Sequence, residues 1–299
     1  MMVNVVSGAT LRLTSVTLRN TDNSAGDRGY GVVVPGGTVS IYNSTIYAPY
    51  NYAILMRNGA SVSFDGSSQI TASSGASIRA QIDNGSSSVN TIYIGGTSSF
   101  NNPISCDLLS RMVIRPYSSN STAYSGTGTV HFSFDTTPSA NDIFLRKPNF
   151  PNSIDYDKFV IDGLPGYMRT KPSTVDAAYV IIVDYRTITV SSTLSTHLSV
   201  SGSTSFSANS DKTLTLVTSN AKYYALPSSI TLKRGTTTLA SGSAYTYNSS
   251  TGVIVIRQNY MTSDSFTLIA NEVVTDAGYV YAFVSSCMHM SDYDMQHNK

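Results

Sequence analysis

The sequence predicts an all-β chain, with a stack of repeated short strands in its first half and a strand sandwich in its second. Three observations carry that expectation. One phrase, a Gly, a small residue, Ser or Thr and two alternating apolar residues, occurs as SGATLRLTSVTL (7–18), PGGTVSIYNSTI (35–46) and NGASVSFDGSSQI (58–70). No stretch of residues 1–102 places apolar residues at the i, i+3, i+4, i+7 spacing of a helix, which excludes a helical solenoid. Beyond Arg186, alternating runs recur with turn residues between them at the eight-to-twelve-residue spacing of an antiparallel sandwich.

Composition agrees. The 299 residues are enough for two modules of roughly 100–200 residues each. Charged residues make up 12 %, about half of ordinary usage, and the net charge of +1 gives no field for nucleic acid or another polyanion. Glu272 is the only glutamate, the first lysine is Lys147, and Ser, Thr, Gly and Asn, which favour strands and turns over helices, fill the space. No window reaches the roughly 20 apolar residues of a membrane span. MMVNVVSGATLRL lacks the basic region and apolar run of a signal peptide, so no export address is expected there. Cys106 and Cys287 stand far apart in the chain, one in each expected half. Two separate thiols are favoured over a disulfide between modules. The scattered His131, His197, His289 and His297 give no metal-ligand spacing, and neither a metal nor a cofactor is expected.

The elements follow in order. With Gly8, Gly36 and Gly59 aligned, Leu11 and Leu13 match Val39 and Ile41, then Val62 and Phe64. Leu18, Ile46 and Ile70 mark a second strand in each period, and Val32–Val34, Ile54–Met56 and Ile78–Ile82 a third. Gly36, Gly37, Asn58, Gly59, Asn84 and Gly85 fall at corners, where the chain needs φ > 0. The first period is lengthened by TDNSAGDRGYG (21–31), expected to protrude as a loop. Three short strands per period of this length suit a right-handed parallel β-helix, with equivalent inward residues stacked in columns such as Leu13, Ile41 and Phe64. In RMVIRP, GTVHFSF, DIFLRKP, DKFVIDG and YVIIVDY the period blurs, so 103–187 reads as irregular terminal coils after regular coils in 1–102.

Residues 188–275 read as the sandwich, with SSTG (249–252) as a hairpin turn between Tyr245–Tyr247 and the VIVI strand. A last apolar strand, Val280–Val284, and a polar tail close residues 276–299.

The stretch NGASVSFDGSSQITASSGASI resembles the right-handed parallel β-helices of bacterial surface proteins, polysaccharide lyases and phage tailspikes. The run from Leu226 to Ile256 resembles bacterial immunoglobulin-like modules. These resemblances imply an extracellular, cell-surface or virion location. They also imply a second module that spaces or binds rather than catalyses.

Enzymes of this kind need carboxylates on adjacent coils, since glycosidic hydrolysis uses two carboxyl groups about 5–9.5 Å apart and strands lie about 4.8 Å apart. Asp does not recur at equivalent positions of successive coils: Asp65 aligns with Tyr42 and Thr14, and the outward rows read Arg12, Ser40, Ser63 and Arg19, Tyr47, Thr71, so nothing is expected to pair. Asp22, Asp27 and Arg28 in the inserted loop, with Arg57 below, are the weak catalytic candidates; a solvated turn is the favoured reading. Asp155 and Asp157 read as a surface turn. Tyr30, Tyr42, Tyr47, Tyr50 and Tyr52, with Arg57, are the ligand-binding candidates, because tyrosine offers flat amphipathic area to sugars or protein; Tyr42, Tyr47, Tyr50 and Tyr52 are expected on or beside one corner of the second coil, with Tyr30 near on the previous one. The bland alternative is that these rings cover the seam between coils.

The repeat starts within about ten residues of Met1 without a cap, so a neighbouring chain or a homo-oligomer is expected to cover the first coil. The sequence thus points to a non-catalytic structural or adhesive component of a bacterial surface or phage particle, with surface polysaccharide as a partner. A polysaccharide-degrading enzyme is the alternative.

Overall fold

The structure is a computed structural model describing residues 3–22, 29–49, 52–74, 76–81, 87–146, 155–173 and 180–275. Among the described residues the chain is all-β, with three short 3₁₀ turns and no α-helix. It divides into two compact units, Met1–Leu164 with Arg169–Asp184 and Pro165–Met168 with Tyr185–Lys299.

In the first unit the strands come in threes. The first period holds β1 (Val3–Asn4), β2 (Thr10–Thr14) and β3 (Thr17–Arg19), and the second β4 (Val32–Pro35), β5 (Thr38–Tyr42) and β6 (Thr45–Ala48). The third holds β7 (Ile54–Arg57), β8 (Ser61–Asp65) and β9 (Gln69–Ala72), and the fourth β10 (Ile78–Gln81), β11 (Asn90–Ile94) and β12 (Ser99–Phe100). After them run β13 (Ile104–Cys106), β14 (Met112–Arg115), β15 (Val130–Phe134), β16 (Ile143–Arg146), β17 (Phe159–Ile161), β18 (Met168–Pro172) and β19 (Val180–Tyr185).

Through β14 each strand pairs with the third one after it, and beyond that β13, β15 and β17 pair in turn. One sheet runs β1-β4-β7-β10-β13-β15-β17, a second β2-β5-β8-β11-β14 and a third β3-β6-β9-β12. The pairings within these three sheets are parallel. The register matches the spacing of the repeated phrase. Leu13 lies opposite Ile41, Ile41 opposite Phe64 and Phe64 opposite Ile94, all buried. Leu18, Ile46, Ile70 and Phe100 form a second column. Period-2 alternation puts these residues inward and Ser, Thr, Arg and Tyr outward.

The corners follow the same logic. Gly8, Gly36, Asn58 and Gly59 have positive φ, as their residue types allow. Gly37 does not; there a Cβ would lie 2.4 Å from the Val5 carbonyl oxygen, so close packing is what demands glycine. Asn84, Gly85 and most of the 21–31 insertion lie outside the described residues. Buried Ser44, Ser68 and Ser98 precede equivalent strand starts, and each hydroxyl donates to a backbone carbonyl two or three residues back. Cys106 is a buried free thiol beside Ala80 and Phe134 in the first sheet, acting as a small apolar residue, and burial pushes its pKa up. Cys287 lies outside the described residues.

Beyond residue 103 the first sheet continues through β13, β15 and β17, but β16 pairs with β19 antiparallel, in a sheet of order β16-β19-β18. The expected run of irregular coils therefore gives way in part to a separate small sheet.

In the second unit, β20 (Thr187–Leu194), β21 (Leu198–Ser201), β22 (Ser205–Ser207), β23 (Lys212–Thr218), β24 (Tyr224–Ala225), β25 (Thr231–Arg234), β26 (Thr237–Thr238), β27 (Tyr245–Tyr247), β28 (Val253–Ile256), β29 (Ser265–Ala270) and β30 (Val273–Val274) form two main sheets, β22-β20-β29-β25-β26 and β21-β23-β28-β27, with β24 and β30 paired apart. One core holds Ile188, Val190, Leu232, Phe266 and Leu268 from the first main sheet and Leu214, Leu216, Tyr245, Ile254 and Ile256 from the second. The 249–252 turn joins β27 to β28 as expected: Asn248 Oδ1 accepts the Ser250 and Thr251 N–H groups, and Gly252 has φ +72°. The expectation of a purely antiparallel module fails at one pair, β20 with β29, which runs parallel from Thr189↔Ser265 to Leu194↔Ala270. Val280–Val284 lies outside the described residues.

Candidate functional site

The outer face of the first unit's five-stranded sheet, β2-β5-β8-β11-β14, carries the residues that the pleat turns away from the core. Across it runs one row, Arg12, Ser40, Ser63, Tyr93 and Arg115, each opposite the next. Over the middle of this row folds the segment 116–124. The Ser119 N–H donates to Ser63 Oγ (2.9 Å) and the Thr122 hydroxyl to Asp65 Oδ2 (3.2 Å). Fully buried Ser118 accepts the Asn120 and Thr122 N–H groups on its hydroxyl, and its own N–H donates to the Thr122 carbonyl (2.8 Å). Ser125 and Ala123 bond to Gly96, while the Arg115 guanidinium packs against the Tyr93 and Tyr117 rings and donates to the Tyr117 hydroxyl. At Gly95 any Cβ would lie 2.4 Å from the Thr122 carbonyl oxygen, so glycine lets the segment seat.

With the segment in place, β2, β5 and the end of β8 form the floor of an open groove of about 340 Å³ lined by Thr10, Arg12, Thr14, Thr38, Ser40, Tyr42, Asp65, Ser119 and Asn120. Tyr42 is 45 % exposed. Arg12 is exposed and has no hydrogen bond or ion pair among the described residues. Asp65 is only 9 % exposed, and its two oxygens accept from the Gly66 N–H (2.8 Å) and the Thr122 hydroxyl. It therefore works as an anchor for the wall. The groove thus offers an aromatic face, an exposed guanidinium and a row of hydroxyls on a rigid floor.

The tyrosines expected around one corner are separated. Tyr42 ends β5 on this face, whereas Tyr47 lies on β6 of another sheet, with its ring 4.8 Å from the Arg19 guanidinium carbon and its hydroxyl 2.9 Å from Ser73 Oγ. Tyr30 and Tyr52 stack on each other at 5.9 Å, which agrees with rings covering the seam between periods. Tyr50 lies outside the described residues. The short strand length explains the split: Tyr42 closes β5, Tyr47 belongs to β6, and the chain turns from one sheet to the next between them. Arg57 is tied to Gln81 through Nε (3.0 Å) on the first sheet. Asp22 follows β3 with its N–H on Asn20 Oδ1 (2.9 Å); Asp27 and Arg28 lie outside the described residues. Asp155 precedes a 3₁₀ turn, Tyr156–Lys158, that contains Asp157, and Lys158 lies 3.9 Å from Asp155.

Contrary to the expectation that Asp does not recur on successive coils, two carboxylates do so beyond residue 102. Asp107 and Asp135 follow the paired Cys106 and Phe134, so they stand one period apart at equivalent positions. The Arg79 guanidinium bridges both carboxylates and also donates to Ser105 Oγ (2.6 Å). Its hydrogen bond holds the Asp135 carboxyl below its ordinary pKa, and the same bond raises that of Arg79. A carboxylate held below its ordinary pKa in this way stays ionised, which suits an ion-pair clasp and leaves Asp135 no proton to deliver at neutral pH. The signal was in the sequence, at 107 and 135, but beyond the region where the phrase is regular. The wall residues Ser119 and Asn120 carried a weaker one: PYSSNSTAY (116–124) is too long and polar for a plain corner.

Among the described residues no group of His, Cys, Asp and Glu is placed to hold a metal ion, and no helix is long and apolar enough to cross a membrane. No protein-family model, curated protein or solved structure matches this chain.

Proposed function

We propose that the first unit is a right-handed parallel β-helix with three strands per turn, that the second is an immunoglobulin-like sandwich, and that the chain is a non-catalytic adhesive or structural component of a bacterial surface or phage particle. Its binding surface is the groove on the five-stranded sheet, and its ligand is a glycan. The observation that carries this reading is the exposed Tyr42 ring beside Arg12 and a bank of Thr and Ser hydroxyls, on a floor made rigid by in-register strands and walled by a tied-down segment. Flat rings and preplaced hydroxyls are what pyranose faces and edges require, and a rigid site loses little entropy on binding. Against catalysis stands the Arg79 clasp, which engages both carboxylates that come together and keeps Asp135 ionised.

A glycan array run with the full chain and with Tyr42→Ala tests this. The reading predicts glycan binding that falls by about tenfold or more in the variant, the loss of one stacking face. Equal binding by both proteins, or none by either, overturns it. Reducing-sugar release from mixed polysaccharides that is abolished by Asp27→Asn or Asp135→Asn would replace it with the enzyme reading.

A further inference from the structure

We infer that the groove selects an acidic glycan, one whose sugar carries a carboxylate, with Arg12 as the residue that reads the charge. The inference rests on the glycan-groove reading above and adds the ligand class. The groove is lined by two charged side chains, and they are not equivalent. Asp65 has both oxygens occupied, sits at the wall and is nearly buried, so its role is spent in holding residues 118–122. Arg12 stands two strands away from it, exposed, with no described carboxylate near enough to pair. A guanidinium that nothing among the described residues satisfies, set on a rigid strand rather than a loop, is prepared for a planar anion, which it grips through two parallel N–H donors.

The surroundings decide which anion. Thr10 and Thr14 flank Arg12 on its own strand, and Thr38 and Ser40 sit on the next. That is a hydroxyl field suited to the hydroxyls around a sugar carboxylate and poorly suited to the apolar stem of an acidic peptide side chain. Tyr42 lies one strand over and two residues along, about 8 Å away by strand geometry. The two long side chains can therefore reach one sugar acid and its neighbour, the ring on Tyr42 and the carboxylate on Arg12. Arg19, on another sheet, lies against Tyr47 and serves as an internal control for general charge.

Biolayer interferometry with the full chain immobilised tests this, with sodium polygalacturonate, its methyl ester and dextran as probes, and poly-glutamate as a non-sugar polyanion. The expected result is a preference of about tenfold or more for the free acid over the ester and dextran, lost in Arg12→Gln and kept in Arg19→Gln. The same affinity for acid and ester, or a preference unchanged by Arg12→Gln, overturns the inference. If Tyr42→Ala still abolishes glycan binding in that case, the glycan-groove reading survives it. Poly-glutamate bound as tightly as polygalacturonate and lost with Arg12→Gln overturns the sugar assignment, and binding of no polysaccharide sinks both.

Discussion

Single polar residues tie neighbouring periods together where the strands stop. Buried Asn90 accepts the Gly59 and Ala60 N–H groups on Oδ1 (3.1 and 3.0 Å) and donates through Nδ2 to the Gln81 carbonyl (3.2 Å). The Ala60 N–H also reaches the Arg57 carbonyl and Gly59 is exposed, so Asn90→Ala is expected to cost about 1 kcal/mol in urea unfolding, the worth of the lost ties. The Arg79 clasp makes a pH prediction. Because Asp135 has a lowered pKa in the folded chain, its contribution is complete above the ordinary carboxylate range and fades as pH falls through the lowered value. Stability measured from pH 7 downward should fall more steeply for the wild type than for Asp135→Asn, and by less in high salt, since Asp135 is 59 % exposed. Identical slopes would remove Asp135 from the acid response. At this scale the sequence was readable where a residue type has one use, as at Gly36, Asn58 and Gly59. It was silent about Asn90 and Arg79, because the groups that they tie down belong to other periods and lie far along the chain.

Strands and corners show a sharper division. Their register could be read because the side-chain period is two and one face is buried, so a one-residue slip would turn Ile41 and Phe64 outward. Corners are less legible, since close approach of backbones leaves no mark except glycine. Gly96 illustrates this: φ is +59°, and a Cβ would lie 2.4 Å from the Gly66 carbonyl oxygen of the neighbouring period. Gly235, in the β25–β26 hairpin, has φ +56° but open space around a Cβ. Gly235→Ala should therefore cost only the strain of the left-handed conformation, about 1–2 kcal/mol, and Gly96→Ala distinctly more. Denaturant midpoints for the two variants compare them directly; equal losses would mean that the corner yields. The parallel β20–β29 pair was not legible, because two alternating strands from opposite ends of the module carry no mark of relative direction. The wall segment escaped for a similar reason: turn-forming residues announce that the chain leaves the strand, not which face it returns to.

For the whole molecule, one arrangement underlies the groove: successive periods lie beside one another in parallel register. That register alone brings Arg12 of the first period together with Ser40 and Tyr42 of the second, on a single face under the 116–124 wall. The all-β class and this repeat were legible because one pattern recurs and nothing competes with it. The groove was legible only in its floor, since Tyr42 and the outward row follow from the repeat while the wall does not. Thr10 and Val113 sit on outward positions at opposite edges of the five-stranded sheet, linked through Thr38, Ser61 and Thr91. Electron–electron dipolar spectroscopy on spin labels at Thr10→Cys and Val113→Cys, with Cys287→Ser to remove the tail thiol, reads the stacking directly. Four strand spacings predict a narrow distribution centred near about 19–20 Å; one centred beyond about 35 Å, or too broad to define a distance, would contradict the stacked register and the groove built on it.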